Sequence, residues 1–538
     1  MVDKKSNKAI KNRVDELIEK GQLLPKQQDG LSKMLDSPDE ENAELAKDII
    51  ALNTVDALKV GLNEDQIAAF DSILEFLDDD ADDGFVLKGY AGTGKTFLVK
   101  RIIEYIISTY PKVKVAITAP TNKAVRVLQI DNPFNADDAS SSSVFKDVFG
   151  GRNRVSYSTI HKLLGLKEQI SDSGIQSFVQ DKLNDSSITE YAFLIIDEVS
   201  MLDDDICRAV MEHSSKVGII FMGDPAQIPP VKRIDSIPLR KQDEYKLKVA
   251  VLRKIMRQTG EHPVVDASFL IRNNLRVAQP IPKLETNLNK ERKGIIFVNA
   301  ETEKNTIVSI LKQYFNCPQF DEDPDYAKVI AWTNTRVQFF NKLIRQIRYG
   351  KDAAAFEIGE KLVANRPIFE EQYNKFWGNS KWVSLLTTSD EMEVTDIIIR
   401  KKKFTEGNLQ FYPKVYELTV EVWDAVNRKT ETKTIFVIHE DSLDEYAKLL
   451  EEAKELAKTA RNKSVWAVYF NIQKWSANVG YNYAITAHKA QGSTYKMVLL
   501  DEENIDKNSN VLERNRIKYT AYSRPTNLLY ILRKNYAV

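Results

Sequence analysis

The eight residues Gly89-Tyr-Ala-Gly-Thr-Gly-Lys-Thr96 place three glycines, a lysine and a hydroxyl in one short segment. Glycines at this spacing let backbone N–H groups turn inward around phosphate oxygens. The apolar run Phe85-Val-Leu87 precedes the segment and an amphipathic run follows it, so it joins a strand to a helix. The helix N-terminus adds its positive dipole to the same point. The chemistry is that of a nucleoside triphosphate site. Gly92, Thr93 and Gly94 would offer backbone donors, Lys95 would neutralise the β and γ phosphates, and the Thr96 hydroxyl would hold Mg²⁺. A second segment, Phe193-Leu-Ile-Ile-Asp197-Glu198, ends an apolar strand in two acids. Asp197 would share the Mg²⁺, and Glu198 would orient and deprotonate the attacking water. A third, Gly223-Asp-Pro-Ala-Gln227, follows another apolar strand. Gln227 could hydrogen-bond the γ-phosphate and report its loss. Gly, Asp and Pro are also turn formers, so an ordinary capped turn fits that segment equally well.

These residues need a scaffold that brings several strand ends together. From Gly84 onward, short apolar runs end in glycine or polar loops and are followed by amphipathic helices. The runs include Val115-Ala-Ile117, Phe193-Leu-Ile-Ile196 and Gly218-Ile-Ile-Phe221. This alternation predicts a parallel sheet flanked by helices, an α/β class of fold. A second α/β pattern begins near Lys328-Val-Ile-Ala-Trp332. It resumes at Tyr483-Ala-Ile485, Met497-Val-Leu-Leu500 and Leu528-Leu-Tyr-Ile531. Between its halves, Val383 to Val437 alternates apolar and polar residues, which predicts a small antiparallel β-domain. Leu443 to Leu456 reads as a charged amphipathic helix within it. Residues 131–158 are rich in Ser, Asn and Asp and read as a surface loop. Residues 166–190 are polar and read as a small insertion. Residues 1–58 read as a helical extension.

Composition narrows the class. At 538 residues, two to four domains are expected. Seventy-six basic and 77 acidic residues leave a formal net charge of −1, so any nucleic-acid site must be a local groove. No apolar run reaches the length of a membrane span, and the charged N-terminus lacks an apolar signal core. The two cysteines, Cys207 and Cys317, lack metal-ligand spacing; this fits a reducing cytosol and opposes a structural zinc site.

In this order the segments resemble the motifs of superfamily 1 helicases. Asp197-Glu198 and Gly223 to Gln227 look like motifs II and III, Ala119-Pro-Thr-Asn-Lys-Ala124 like motif Ia and Ser158-Thr-Ile-His161 like motif Ib. Thr486-Ala-His-Lys-Ala-Gln-Gly-Ser-Thr494 looks like motif V, and Tyr519-Thr-Ala-Tyr-Ser-Arg524 like motif VI. Gln66 sits where the family's adenine-reading glutamine sits. The Gln-Ile-Pro-Pro tail of motif III and the His-Lys-Ala-Gln-Gly of motif V are similar to the 5′–3′ branch, with phage Dda-like helicases most similar and RecD-like proteins next. Motif VI departs from the commoner pattern at Pro525, whose ring must bend or end the chain segment beyond it.

The resemblance implies two RecA-like lobes with ATP between them. A first lobe would span 59–265 and carry a strand-separating pin at about 166–190. A second lobe would span 266–379 and 479–538, interrupted by an SH3-like β-barrel with a helical projection at 380–478. Gln66 and Gly492 would complete the ATP site, and Arg257 and Arg524 would reach the γ-phosphate. Single-stranded DNA would be held by Pro120, Thr121, Asn122, Thr159 and His161 on one lobe and by Thr333, Asn334, Thr486, His488 and Lys489 on the other. Phe178 is the pin candidate, although packing into a small core suits it better. The implied activity is ATP-dependent 5′–3′ unwinding of forked or tailed duplex DNA in a bacterial or phage-infected cytosol. An RNA helicase, or a motor subunit without unwinding of its own, are the alternatives. The extension at 1–58 is a place for replication or recombination partners.

Overall fold

The computed structural model describes residues 55–56, 58–78, 82–110, 113–131, 154–170, 176–180, 187–230, 235–256, 262–278, 285–374, 379–424, 429–460 and 462–534. Most of the expected extension at 1–58 lies outside them. Its last residues do not stand apart, however. Leu58 is buried and Val55 packs beside it against the first lobe's core, so that lobe starts earlier than residue 59.

The first part of the chain supplies strands β1 (Gly84–Gly89), β2 (Val115–Ala119) and β3 (Val155–Thr159), a hairpin of β4 (Leu166–Ile170) and β5 (Gln176–Gln180), then β6 (Phe193–Ile196), β7 (Gly218–Gly223) and β8 (Leu247–Leu252). Six of these form one parallel sheet in the order β3-β2-β6-β7-β1-β8. Phe85, Val86 and Leu87 in β1 are fully buried, because helices cover both faces. The helices Glu64–Asp78 and Lys95–Thr109 cover one face, and Asp204–Met211 covers the other. Val155–Thr159 overlaps the region expected to be a loop at 131–158. It is a sheet strand because Val115–Ala119 offers it an open edge in register. Residues 132–153 of that region lie outside the described residues.

A second sheet takes β9 (Asn287–Leu288), β10 (Gly294–Asn299) and β11 (Ala327–Ala331) before an insertion. The insertion holds β12 (Lys361–Ala364), β13 (Ile368–Asn374), β14 (Asn379–Leu386), β15 (Glu391–Lys401), β16 (Phe404–Glu406), β17 (Leu409–Phe411), β18 (Lys414–Asp424), β19 (Lys429–Ile438) and β20 (Val479–Tyr481). The second sheet then resumes with β21 (Ala484–Thr486), β22 (Tyr495–Asp501) and β23 (Pro525–Arg533), in the order β21-β11-β22-β23-β10-β9. Only β9 runs antiparallel there, at the edge. Two parallel sheets flanked by helices make the two RecA-like lobes.

The insertion pairs as β19-β18-β15-β12-β20, antiparallel throughout. It therefore begins at Lys361, ahead of the expected residue 380. The short run Lys361–Ala364 falls within the stretch expected to belong to the second lobe, but its buried residues pair with β15 and β20. The sheet curls until its ends meet, where Ala477 N–H donates to the Phe436 carbonyl at 2.7 Å. The pairing order itself remains that of a five-stranded sheet, and an SH3-like barrel is not established by it. The helix Leu443–Ala460 projects from this insertion, and the helix Lys463–Gln473 lies against β4 of the first lobe.

Candidate functional site

Strand order explains why distant segments converge. In a parallel sheet the loops after neighbouring strands leave from the same edge. The adjacent strands β6, β7 and β1 thereby deliver Asp197-Glu198, Gly223 to Gln227 and the glycine-rich loop to one place. The loop needs two of its glycines for conformation: Gly92 and Gly94 have φ of +80° and +78°. Gly94 is also tight, since a Cβ there would lie 2.5 Å from Gln66 Nε2. Lys95 opens the following helix, and its ammonium is held inside the loop, donating to the Gly89 carbonyl at 2.6 Å and the Tyr90 carbonyl at 3.2 Å.

Gln66 is fully buried beside this loop. Its Nε2 donates to the Thr93 carbonyl at 3.1 Å, and its Oε1 accepts from Asn63 N–H at 3.0 Å. In this arrangement Gln66 braces the phosphate loop.

The acids after β6 are poorly compensated. Burial pushes the Asp197 carboxyl upward, against the pull of Lys95 and of the Glu198 N–H that it accepts at 2.8 Å. Burial and the neighbouring Asp197 push Glu198 up to about 7. Glu198 also sits at φ +52°, in the left-handed region. Such a conformation costs a non-glycine residue about 1–3 kcal/mol and is held by surrounding structure. Gly223 makes room for the turn that follows Glu198: a Cβ there would approach Val199 Cγ2 to 2.7 Å.

Opposite these groups stands the second lobe. Lys95, Thr96, Asp197, Glu198 and Gln227 share a cavity of about 470 Å³ with Gly492 and Arg524. Gly492 has φ +70°, and a Cβ on it would meet Ala124 Cβ at 3.0 Å and Glu198 Cγ at 3.8 Å. Arg524 is buried, donating to the carbonyls of Thr520 at 2.8 Å and Ser493 at 3.1 Å and to the Ser523 hydroxyl at 2.7 Å. Its charge draws the Glu198 pKa down, partly offsetting burial. Arg257 lies outside the described residues.

Sequence reasoning missed the residues that join the lobes at this cavity. Asp224 is fully buried; its Oδ2 accepts from Ala91 N–H of the phosphate loop at 2.9 Å and from the Tyr519 hydroxyl at 2.7 Å, and its Oδ1 accepts from Ala226 N–H at 2.9 Å. One carboxylate thus caps its own turn and ties the phosphate loop to the second lobe. The segment is thus the capped turn that its residues suggest. Gln491 Nε2 donates across the same seam to the Ile228 carbonyl at 3.1 Å. Arg272 lies over the Tyr90 ring at 4.0 Å on the cavity wall. Asp224 stands between Gly223 and Pro225, in a segment read for Gln227 and for its turn rather than for this carboxylate. For Arg272 no sequence signal stood out.

The residues assigned to strand contact follow the same rule of strand ends. Pro120, Thr121 and Asn122 follow β2, and Thr159 and His161 close β3; these two strands form one edge of the first sheet. Thr333 and Asn334 follow β11, and Thr486, His488 and Lys489 follow β21; these form an edge of the second sheet. Burial holds the imidazoles of His161 and His488 below the usual histidine range, so both favour the neutral form. Thr333 caps the helix Asn334–Tyr349, and its N–H donates to Asn504 Oδ1 at 2.9 Å. Lys489 Nζ donates to Asn365 Oδ1 at 3.1 Å. Asn122 is engaged by the insertion, donating to Asp390 Oδ1 at 3.0 Å and to the Thr387 hydroxyl. Phe178 lies in β5 opposite Glu168, at a hairpin whose side chains lie outside the described residues. Trp466 and Trp475 are 6% and 2% exposed, so packing is their first role.

A phosphate loop facing an acid pair, closed by an arginine from a second lobe, defines a P-loop nucleoside triphosphatase of the two-lobe kind. The sequence pattern of the AAA domain matches residues 61–285, and that of the UvrD-like helicase C-terminal domain matches residues 481–532. An uncharacterized protein, R530, of Acanthamoeba polyphaga mimivirus is 25% identical over 87% of this chain and 99% of its own length. The ATP-dependent DNA helicase dda of Enterobacteria phage T4 is 24% identical over 76% of this chain and 84% of its own. The RecBCD enzyme subunit RecD of Buchnera aphidicola is 23% identical over 83% and 69%. A crystal structure of Pif1 helicase from Candida albicans covers 88% of this chain and 95% of its own at 16% identity, with a TM-score of 0.43. In sequence the chain is similar to superfamily 1 helicases of the RecD and Dda-like group.

Proposed function

We propose that this protein is an ATP-dependent DNA helicase that moves 5′ to 3′ along single-stranded DNA and opens forked or tailed duplexes. The observation that carries the reading is the cavity itself. Its phosphate-binding and acidic groups come from one lobe, and Gly492 and Arg524 come from the other. A triphosphate bound there bridges the lobes, so its hydrolysis changes how tightly they are held together.

Within this reading, backbone donors from Gly92 to Gly94 and the Lys95 ammonium surround the β and γ phosphates. The Asp197 carboxylate and Thr96 hydroxyl are hard oxygen donors, the set that suits Mg²⁺ shared with phosphates. When bound, that ion neutralises phosphate charge. Glu198, poised near 7, takes the proton of the attacking water. Arg524 meets charge developing on the γ-phosphate; Gln227 and Asp224 pass the loss of that phosphate to the lobe seam. The strand lies across the β2–β3 and β21–β11 edges, held mainly through its backbone by amides and hydroxyls. Among the described residues no helix is long and apolar enough to cross a membrane; a cytosolic setting belongs to the proposal.

A strand-displacement assay tests this directly. Duplexes with 5′ or 3′ tails, in DNA and in RNA, are mixed with protein and ATP. Separation of the 5′-tailed DNA is expected. Separation of only 3′-tailed substrates would overturn the polarity, and preference for RNA would overturn the DNA assignment.

A further inference from the structure

The phosphate loop is gripped at both ends, from different lobes. At its C-terminal end, Gln66 of the first lobe donates to the Thr93 carbonyl at 3.1 Å and the Gly94 carbonyl at 3.4 Å. At its N-terminal end, Tyr90 and Ala91 pack against a core that includes Val264, Ile271 and Ile517 of the second lobe. The Ala91 N–H also donates to the Tyr519 hydroxyl at 3.0 Å.

Arg272 completes the hold on Tyr90. It stands in the last turn of the helix Pro263–Asn273, half-buried on the wall of the nucleotide cavity. Its guanidinium lies 4.0 Å from the centre of the Tyr90 ring and 4.4 Å from that of Phe269. Among the described residues its partners are rings alone, with no carboxylate or carbonyl bonded to it. Ring faces cover the plane of a guanidinium and leave the N–H donors along its edge unused. Two other arginines of this lobe differ. Arg524 donates to the Thr520 and Ser493 carbonyls, and Arg516 to the Pro225 carbonyl and to Asp235. A cation in a last helical turn is favoured by the helix dipole, which explains the charge of Arg272 but not a fork left unbonded beside a phosphate site.

Its place along the loop is the terminal-phosphate end. The Lys95 ammonium lies 3.2 Å from the Tyr90 carbonyl, whereas Gln66 marks the opposite end. Burial and Asp224 push the Tyr519 hydroxyl well up, and the Arg272 charge pulls against them, so the guanidinium stands near the Asp224–Tyr519 joint.

We propose that Arg272 is a further phosphate-binding residue, brought by the second lobe to the terminal phosphate of ATP and held ready for it by Tyr90 and Phe269. The proposal deepens the ATP-driven motor reading above and rests on it. The rings fix the plane of the fork, so little freedom is lost when its donors meet phosphate oxygens. Arg272 and Arg524 reach the cavity on one packed unit. The helix Pro263–Asn273 lies against the helix Val511–Tyr522, and Asn515 Nδ2 donates to the Leu275 and Val277 carbonyls at 3.0 Å just past the first helix. Both arginines therefore meet or leave the phosphate together. ADP, one phosphate shorter, leaves the Arg272 fork without its partner.

The test compares binding of the β,γ-imido analogue of ATP with binding of ADP, each with Mg²⁺, by calorimetric titration of the full chain. Arg272→Ala is expected to weaken the triphosphate by about tenfold or more and ADP by less than about twofold. Arg272→Lys keeps the charge without the fork, so its loss should be smaller than that of Arg272→Ala. Tyr90→Leu keeps an apolar group against the second lobe and removes the ring face; it should weaken the triphosphate by about threefold. No loss for the triphosphate in Arg272→Ala, or equal losses for both nucleotides, would overturn the proposal. Arg272→Gln removes the charge at nearly the same volume and is judged by the same two criteria if the alanine variant fails to fold. Wild type that binds neither nucleotide would sink the motor reading itself. Wild type that binds both, with no selective loss in the variants, removes only Arg272.

Discussion

Each lobe ends one of its parallel strands in the same pair of residues. In the first lobe β6 runs Phe-Leu-Ile-Ile and ends in Asp197-Glu198; in the second, β22 ends in Leu-Leu-Asp501-Glu502. Both pairs are deeply placed, and burial pushes Asp501 up as it does Asp197, but the two glutamates stand in opposite surroundings. Burial pushes Glu502 up, but Lys518 and Arg533 outweigh it and bring its carboxyl below the usual range. Glu502 Oε2 accepts from Arg533 Nε at 2.7 Å, and Oε1 accepts from Lys518 at 3.1 Å and from the Tyr522 hydroxyl at 3.1 Å. Asp501 accepts from Arg336 Nε at 2.6 Å. The Asp197-Glu198 pair has no such enclosure, and Glu198 is lifted to about 7 on a strained backbone. The same dipeptide on the same kind of strand is a structural clamp in one lobe and, in the function proposed above, the reactive pair in the other. What separates them is whether the protein itself supplies the opposing charge.

The largest effect that sharpens this contrast comes from the arginine facing Glu198. Arg524→Ala should leave nucleotide binding measurable and lower kcat for ATP by about 10³–10⁵-fold. Turnover near the wild-type rate in a steady-state assay would place the finger elsewhere. In the other lobe, Glu502→Gln should act on stability rather than chemistry. Removing one charge from a buried ion pair costs about 3–5 kcal/mol, read in denaturant unfolding of the second lobe. A large loss of kcat with unchanged unfolding would break the comparison.

Smaller effects come from pH and from the lobe seam. Glu198 acts as a base only when ionised, and its raised pKa places that change near 7. kcat/KM for ATP should therefore fall as pH drops below about 7, by about tenfold per unit. A profile flat from pH 5 to pH 8 would contradict the assignment. Tyr519→Phe removes the hydroxyl that donates to Asp224 at 2.7 Å. It should raise KM for ATP and cost about 1–3 kcal/mol of stability, because Asp224 stays buried with one donor fewer. An unchanged KM would show that the seam does not report to the phosphate loop.

Much of this contrast is legible in the sequence, but unevenly. Gly89 to Thr96 is readable because glycine at positive φ and a lysine at a helix start have few other uses. The apolar runs ending in acids mark the first sheet and its site edge. The β10 run Gly294-Ile-Ile-Phe-Val-Asn299 escapes the pattern, since the second α/β alternation becomes clear only from Lys328. The boundary of the insertion is misplaced because Lys361–Ala364 is short, and its identity as an insertion strand comes only from pairing with distant partners. Asp224 and Tyr519 stand within their segments without a role of their own, because a hydrogen bond across 295 residues leaves no local pattern.

The most direct test of the account is steady-state ATP hydrolysis by wild type and Glu198→Gln, with and without a long oligothymidine. The account predicts that the strand stimulates the wild type. It also predicts that Glu198→Gln binds ATP and strand yet turns over about 10²–10⁴-fold more slowly under both conditions. Hydrolysis by Glu198→Gln at the wild-type rate would contradict the claim that this acid pair, and not its twin in the second lobe, drives the chemistry.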